Sequence, residues 1–150
     1  MPIHWVLKKF EELTPHELYA VLQLRSAVFV VEQACAYQDA DNKDLDSYHL
    51  MGQNENGLVA YTRLLAPGVS YSEASIGRVV TAPAVRRYGF GKRLMQESID
   101  AVYRLFGKGP IKIGAQLYLK SFYESFGFVQ TGAPYLEDGI PHIYMIKAAP

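Results

Sequence analysis

The sequence predicts an α/β fold, in the α+β sense of a central mixed sheet flanked by helices. Three observations carry this prediction. Short apolar or alternating runs of strand character recur along the chain, and helical periodicity appears in separate segments between them. A strong two-residue turn signal, Asn56-Gly57, lies between two of the strand-like runs and predicts a hairpin.

The first half of the chain alternates between strand and helix signals. Residues 3–8 alternate in polarity and predict a strand. Thr14-Pro15-His16-Glu17 begins a helix, with Thr14 as N-cap, Pro15 at the first helical position and Glu17 completing a capping box. One face of this helix is apolar and comprises Leu18, Val21, Leu22, Val28 and Phe29. Residues 48–65 then form the hairpin.

The second half continues the same pattern. A strand at 76–81 precedes a helix whose apolar residues recur at helical spacing and which ends at Gly107. These apolar residues are Met95, Ile99, Val102 and Phe106. We then expect a strand at 111–115, a helix at 117–126 and closing strands near 128–131 and 142–147. No repeat or linker interrupts the chain, so residues 1–150 are expected to form a single domain.

Composition excludes several classes of function. The formal net charge is zero and the isoelectric point is near 6.9, which argues against nucleic-acid and acidic-membrane partners. The lone cysteine, Cys35, excludes an intramolecular disulfide and is interpreted as a small buried residue near a helix end. The N-terminal residues lack a signal-peptide core, and no apolar run approaches the roughly 20 residues of a membrane span. We therefore expect a cytoplasmic protein.

A basic, glycine-bearing turn is the most informative feature. Residues 86–92 read RRYGFGK and lie between the strand at 76–81 and the following helix. Free N–H groups at a helix start, together with the positive end of the helix dipole, attract anions. Arg86, Arg87 and Lys92 add positive charge. This turn predicts a site for phosphate or pyrophosphate, although a basic turn that only begins a helix would look similar.

Two familiar phosphate loops do not fit. The triphosphate loop requires Ser or Thr after Gly-Lys, but Arg93 follows Gly91-Lys92. The dinucleotide fingerprint requires a third glycine where Leu94 stands. What remains, Arg86-x-x-Gly89-x-Gly91, resembles the R/Q-x-x-G-x-G/A signature of the GNAT N-acetyltransferases, in which this motif binds the pyrophosphate of acetyl-CoA.

A second segment strengthens the resemblance. Residues 122–128, FYESFGF, are similar to the F-Y-E-x-x-G-F segment of the second GNAT motif. In that family the tyrosine often protonates the departing thiolate, which makes Tyr123 the expected catalytic acid. Taken alone, Tyr123 would more often be a core tyrosine.

Further segments resemble the ElaA-like branch of that family. They are residues 24–33 (LRSAVFVVEQ), Tyr37-x-Asp39-x-Asp41 and residues 135–142 (YLEDGIPH). One departure is Arg87, where many members carry glycine. A side chain there either crowds the turn or supplies another phosphate contact.

The resemblance implies a GNAT acyl-CoA acyltransferase fold in which two parallel strands separate around the acyl-CoA arm. Backbone groups of Val79, Val80 and Thr81 would pair with the pantetheine arm, and one N–H would stabilise the tetrahedral oxyanion. The pyrophosphate would bind at the turn, through Arg86, Arg87, Tyr88, Gly89, Phe90, Gly91 and Lys92. A primary amine would attack the thioester directly, so acetyl-CoA is the expected acyl donor and no metal is required.

The general base is not specified by the pattern. Glu32, Glu73, His49 and His142 are candidates, of which we favour Glu32 and His142. Glu32 lies in an apolar helical run, so burying it would be costly without a partner. Arg25, seven residues earlier, is a suitable partner, and a structural Arg25–Glu32 pair is as well supported as a catalytic role.

The acidic stretch from Asp39 to Asp46 invites a metal interpretation, but it lacks the glycine and glutamate that a calcium-binding loop needs. If it lines the acceptor side of the cleft, its carboxylates would favour a cationic amine. We assign Arg25, Asp41, Asp44 and His49 to the acceptor side. The acceptor, a small molecule or a peptide amine, is not identified by the sequence; its specificity is expected in the N-terminal helices, this acidic stretch and a loop at 132–142.

Two alternatives stay open. The acidic stretch followed by Tyr61-x-Arg63-Leu64-Leu65-x-Pro67 also resembles part of the acyl-homoserine lactone synthases, although those usually carry more tryptophan than the single Trp5. A non-catalytic acyl-CoA-binding module is the other, and Tyr123 argues against it. A homodimer is compatible with the family resemblance.

Overall fold

The computed structural model describes residues 2–150. Within these residues, seven strands form two antiparallel sheets. The strands are β1 (His4–Lys9), β2 (Tyr48–Asn54), β3 (Gly57–Leu65), β4 (Ser75–Thr81), β5 (Ile111–Gln116), β6 (Phe128–Glu137) and β7 (Ile140–Lys147). The N-terminal sheet has the order β1-β2-β3-β4, and the C-terminal sheet has the order β5-β7-β6.

In the described part of the chain three α-helices accompany the sheets: α1 (Pro15–Arg25), α2 (Phe90–Phe106) and α3 (Lys120–Glu124). The capping box predicted for α1 is present, because the Glu17 N–H donates to Oγ1 of Thr14 (3.1 Å) and the Thr14 N–H donates to Oε1 of Glu17 (2.8 Å). A wider π-type turn, Ser26–Glu32, continues α1. Short 3₁₀ turns lie at Phe10–Glu12, Lys43–Asp46, Pro83–Tyr88 and Leu117–Leu119.

The two sheets meet at one point. Ala74 and Ile111 form an isolated parallel bridge, and the Lys112 N–H donates to the carbonyl of Ala74 (2.9 Å). Within residues 2–150, β4 and β5 make no further ladder pairs beyond this bridge. The predicted mixed sheet is thus two antiparallel sheets joined at the beginning of two parallel strands, whose carboxyl ends separate.

Helices cover both faces of the N-terminal sheet. Successive residues of a strand point to opposite faces. Met51 and Tyr61 pack with Val21 of α1, whereas their neighbours Leu50 and Ala60 pack with Leu94 of α2. A larger core joins α2 to both sheets, through residues such as Met95, Ile99, Ile76, Ile113 and Met145.

Several predicted boundaries need correction. The tight hairpin turn is Glu55–Asn56, one residue earlier than expected, and Gly57 already pairs with Asn54. The helix expected at 117–126 is a 3₁₀ turn followed by the five-residue α3. The expected 132–142 loop is mostly strand, with a turn at Asp138–Gly139, because a register shift between Thr131 and Tyr135 breaks the alternation on which strand prediction depends.

No helix among residues 2–150 is both long and apolar enough to cross a membrane.

Candidate active site

A cleft of about 830 Å³ lies where β4 and β5 separate. Both strands line it, as do the end of the π-type turn, α3 and the β6–β7 hairpin. Of the residues singled out from the sequence, the cleft brings together Glu32, Asp41, Val79, Val80, Thr81, Arg86, Gly91, Tyr123 and His142. Residues from six elements, and Asp41 from the segment that precedes Lys43–Asp46, therefore share one site.

The glycine turn leaves the start of α2 open. Gly89 adopts a φ of +74°, and no side chain caps the helix at this residue. A Cβ added to Gly89 would meet nothing within 4 Å, and one added to Gly91 would meet only Phe122, at 3.9 Å. The N–H groups of the first turn of α2 are thus free of side-chain cover, as an anion site requires.

The predicted cofactor residues of this turn differ in their surroundings. The Phe90 side chain is buried with Val85 and Val59, so only its backbone faces outward. Arg87, Tyr88 and Lys92 are exposed, and the Arg87 guanidinium lies 5.8 Å from the centre of the Tyr88 ring. Arg87 therefore does not crowd the turn.

Arg86 pairs with Glu32 instead of standing free. Its two terminal nitrogens donate to the two carboxylate oxygens of Glu32, at 2.5 and 2.7 Å. The predicted Arg25–Glu32 pair is wrong, because the π-type turn carries Glu32 towards the glycine turn while Arg25 points into the sheet. The hydrogen bond from Arg86 lowers the pKa of Glu32, which makes this carboxylate a weaker base in the structure as it stands.

Tyr123 is held rigidly at the inner side of the cleft. It lies on α3, is only 6% exposed, and packs against Phe122 and Phe128 with ring centres 5.2 and 6.1 Å away. Burial raises the pKa of its hydroxyl, with a smaller contribution from Tyr118. The hydroxyl therefore stays protonated at neutral pH and can donate a proton.

His142 is the histidine that reaches the cleft. Its Nδ1 lies 2.7 Å from the carbonyl of Ile140, to which it donates as N–H, so Nε2 is the nitrogen left to exchange a proton. Nε2 lies 3.4 Å from the carboxylate of Glu137. Glu73, the remaining carboxylate candidate, accepts a hydrogen bond from Ser72 and does not line the cleft.

His49 lies behind the cleft instead of lining it. It is fully buried, with Nδ1 2.6 Å from the Tyr61 hydroxyl and Nε2 2.9 Å from the carbonyl of Asp44. Burial lowers its pKa and keeps it neutral. The expected acceptor role of His49 is therefore wrong.

Three arginines neutralise the acidic stretch. Arg25 donates to Asp39 (2.7 Å) and Asp44 (2.7 Å), and Arg63 donates to Asp44 (3.0 Å) and, through two nitrogens, to Asp41 (2.7 and 2.6 Å). Arg78 completes the cluster by donating to Asp39 (2.7 Å). We call these six residues the arginine–aspartate cluster.

The cluster corrects the remaining acceptor predictions. Arg25 is completely buried and Asp44 is 7% exposed, so neither lines the cleft; only Asp41 of the predicted acceptor carboxylates does. Burial raises the pKa of Asp41 and Asp44, but hydrogen bonds from Arg63 and Arg25 outweigh it and the pKa of each carboxyl falls below its usual value. Both stay charged at any pH near neutral.

Arg78 and Arg63 were not predicted as site residues. Arg78 has a φ of +52°, at a place where the β3–β4 register shifts between Tyr61 and Arg63. This bulge directs its guanidinium towards Asp39 and over the Tyr37 ring (5.8 Å), at the point where β4 lines the cleft. A left-handed residue within a strand leaves no mark in the hydrophobic pattern, so this conformation is not predictable from the residues alone.

Among residues 2–150, no group of three His, Cys, Asp or Glu side chains is placed to hold a metal ion.

Comparison with known proteins gives a consistent result. The profile of the Acetyltransferase (GNAT) domain family matches residues 13–149. Protein ElaA of Escherichia coli is 43% identical over 147 residues, covering 97% of this chain and 96% of the relative. A crystal structure of an acyl-CoA N-acyltransferase from Pseudomonas aeruginosa superposes with a TM-score of 0.93 at 45% identity, covering 98% of this chain and all of the other. The crystal structure of Escherichia coli ElaA gives a TM-score of 0.90 at 42% identity, covering 97% and 99%.

Proposed function

The chain belongs to the GNAT acetyltransferase family and is an acyltransferase that uses acyl-CoA, and on that premise we propose that it moves an acetyl group from acetyl-CoA directly to a primary amine. The observation that carries this proposal is the cleft, which connects Gly91, in the uncapped first turn of α2, to the buried, protonated Tyr123.

The cofactor would lie along β4. Beyond the Ala74–Ile111 bridge, the edge of β4 that faces β5 has no strand partner among residues 2–150. An unpaired strand edge offers N–H and C=O groups to an extended chain. The pantetheine arm, which contains two amide groups, would pair with Val79, Val80 and Thr81, and the pyrophosphate would reach the glycine turn and Arg86.

The Glu32–Arg86 pair supports this placement. A carboxylate held by two parallel hydrogen bonds to a guanidinium has the geometry with which arginine also binds phosphate oxygens. Both side chains are about 40% exposed, so the pair is easily exchanged for another anion. Glu32 thus occupies the position that a phosphate oxygen pair would take.

The chemistry needs one nucleophile, one acid and one base. The neutral amine attacks the thioester carbonyl, and the tetrahedral intermediate collapses with cleavage of the C–S bond. The departing thiolate takes a proton from the Tyr123 hydroxyl. The amine loses its extra proton to Nε2 of His142, directly or through a water. Glu32 is the weaker candidate for this base while Arg86 holds it.

Release of free CoA from acetyl-CoA, followed with a thiol reagent across a panel of amines, tests the proposal. We expect release that depends on both substrates. Tyr123→Phe should lower kcat by about 100-fold with an unchanged Kd for acetyl-CoA, as expected for loss of a general acid. Tyr19→Phe, on an exposed α1 position away from the cleft, is the control and should behave as wild type. A wild-type protein that releases no CoA with any amine would refute the proposed function.

A further inference from the structure

The acceptor side of the cleft carries more positive than negative charge. The wall formed by β3, β4 and the 37–46 segment contains the arginine–aspartate cluster and Lys43, which also lines the cleft. The charged residues of this wall that line the cleft are Lys43, Arg63, Arg78 and Asp41. Three cations against one carboxylate leave an excess of positive charge on the surface that a substrate meets. The expectation of a negatively charged wall that attracts a cationic amine is therefore not met.

Every carboxylate oxygen of the arginine–aspartate cluster already accepts a hydrogen bond. Asp41 uses both oxygens on Arg63. Asp39 uses one on Arg25 and one on Arg78, and Asp44 accepts from Arg25 at both of its oxygens. An ammonium group that binds here would compete with these charge-assisted hydrogen bonds.

Donors, in contrast, are in excess. Arg63 is 95% buried, lines the cleft, and its Nε has no hydrogen-bond partner among residues 2–150. This Nε lies beside Gly77, 3.6 Å from the position that a Cβ would take, and less than 1 Å² of it is accessible, so an acceptor reaches it only when the Arg63 side chain shifts. Arg78 is partly exposed in the same part of the cleft, with 22% of its side chain accessible. A buried donor without an acceptor is costly, and an incoming acceptor group would relieve that cost.

The β6–β7 side of the cleft carries carboxylates, in contrast to the arginines of the other wall. Glu137, Asp138 and His142, all on the β6–β7 hairpin, line the same cleft. A molecule that carries an amine at one end and a carboxylate at the other would meet carboxylates and His142 on one rim and arginines on the other.

Resting on the proposed function, we propose that the acceptor is an amino acid, whose carboxylate binds the wall at Arg63 and Arg78 and whose amine faces His142. Arg78 is then a specificity-determining residue: it distinguishes acceptors that carry a carboxylate from neutral and polycationic amines. Guanidinium groups suit this task because their fixed donor geometry matches a carboxylate.

Paired acceptors test the inference. The initial rate of acetyl transfer is measured for a panel of free amino acids and for their carboxamides, with a polyamine included. We expect kcat/KM to favour the acid over its amide by about tenfold or more, which corresponds to one charge-assisted contact. In Arg78→Gln the ratio of kcat/KM for the acid to kcat/KM for the amide should fall towards one.

A free amino acid and its carboxamide differ in the intrinsic reactivity of their amines. This difference cancels when the acid/amide ratio of kcat/KM in each variant is compared with the ratio in wild type. A purely structural role of Arg78 would lower both rates together. Lys43→Gln, an exposed position, removes a cation without disturbing the ion pairs and should weaken the preference in the same direction. Arg104→Gln, an exposed arginine on α2, is the matched control and should keep the wild-type preference.

If amides or polyamines are acetylated as efficiently as amino acids, the inference is overturned, but the acetyltransferase function still stands. Acetyl-CoA binding with no turnover of any amino acid overturns it as well. Failure to bind acetyl-CoA at all refutes the proposed function itself.

Discussion

Removing the charge of Asp44 tests the arginine–aspartate cluster most severely. Asp44 lies on the 3₁₀ turn at Lys43–Asp46 and is 7% exposed. Its two oxygens accept hydrogen bonds from Arg25 at 2.7 and 3.2 Å, and one of them also accepts from Arg63 at 3.0 Å. In Asp44→Asn the shape is kept, but the completely buried Arg25 loses one of its two carboxylate partners.

The expected cost is large because the charge left behind is buried. Breaking a buried ion pair by removing one partner typically costs about 3–5 kcal/mol, whereas the pair itself contributes little over an apolar replacement. Arg25 keeps Asp39, so we expect the lower end, about 3 kcal/mol of unfolding free energy. For a chain of this length that corresponds to a fall in Tm of roughly 6–12 °C.

Urea unfolding followed by the fluorescence of Trp5, the only tryptophan, measures this cost. Asp46→Asn is the matched control, since Asp46 is exposed on the same turn and should cost less than about 0.5 kcal/mol. If Asp44→Asn were no more destabilising than Asp46→Asn, the cluster would not be a buried electrostatic unit and the charge argument for the acceptor would lose its basis.

Three further predictions concern the Glu32–Arg86 pair, the arginine–aspartate cluster and Tyr123. Glu32→Gln should tighten acetyl-CoA binding in calorimetric titrations, because it removes a carboxylate that competes for Arg86. Arg86→Gln should weaken this binding by about tenfold. Equal weakening by the two changes would contradict the exchange of Glu32 for a phosphate group at Arg86. Thermal unfolding measured against pH should show that the arginine–aspartate cluster contributes its full stability above the ordinary aspartate pKa of 3.8. This contribution should be lost as the pH falls further, since the folded pKa of Asp41 and Asp44 is lowered. Below about pH 4 the Tm of Asp44→Asn should therefore fall less than the Tm of wild type. With saturating substrates, deprotonation of the catalytic acid should not lower kcat at any pH up to about 10, because burial raises the pKa of Tyr123. A fall in kcat centred near about pH 9 would exclude Tyr123 as the proton donor.

The elements that carry local signals were predictable. The capping box at Thr14, the apolar face of α2 and its end at Gly107 all depend on residues within one or two turns, and the structure confirms them. The glycine turn was recognisable for the same reason, because its spacing between strand and helix is local.

The acceptor side was not predictable, because its contacts connect distant segments. Asp41 and Arg78 are 37 residues apart, and Glu32 and Arg86 are 54 apart. Composition presents the acidic stretch as free negative charge; only the fold brings Arg25, Arg63 and Arg78 against it. The π-type turn after α1 has a similar effect, since it rotates Glu32 away from the direction that regular helical spacing gives.

Calorimetric titration with acetyl-CoA shows whether the glycine turn binds the cofactor, using two glycines at opposite ends of α2. Gly89 and Gly107 both have positive φ, +74° and +89°, and a Cβ at either would meet nothing within 4 Å. Gly107→Leu imposes the greater backbone strain, since φ +89° with ψ 168° is a region essentially restricted to glycine, but only Gly89→Leu places a side chain over the helix start. We predict that wild type and Gly107→Leu bind acetyl-CoA alike and that Gly89→Leu loses at least about tenfold in affinity. Undiminished binding by Gly89→Leu, or none by wild type, would contradict the claim that this turn holds the cofactor.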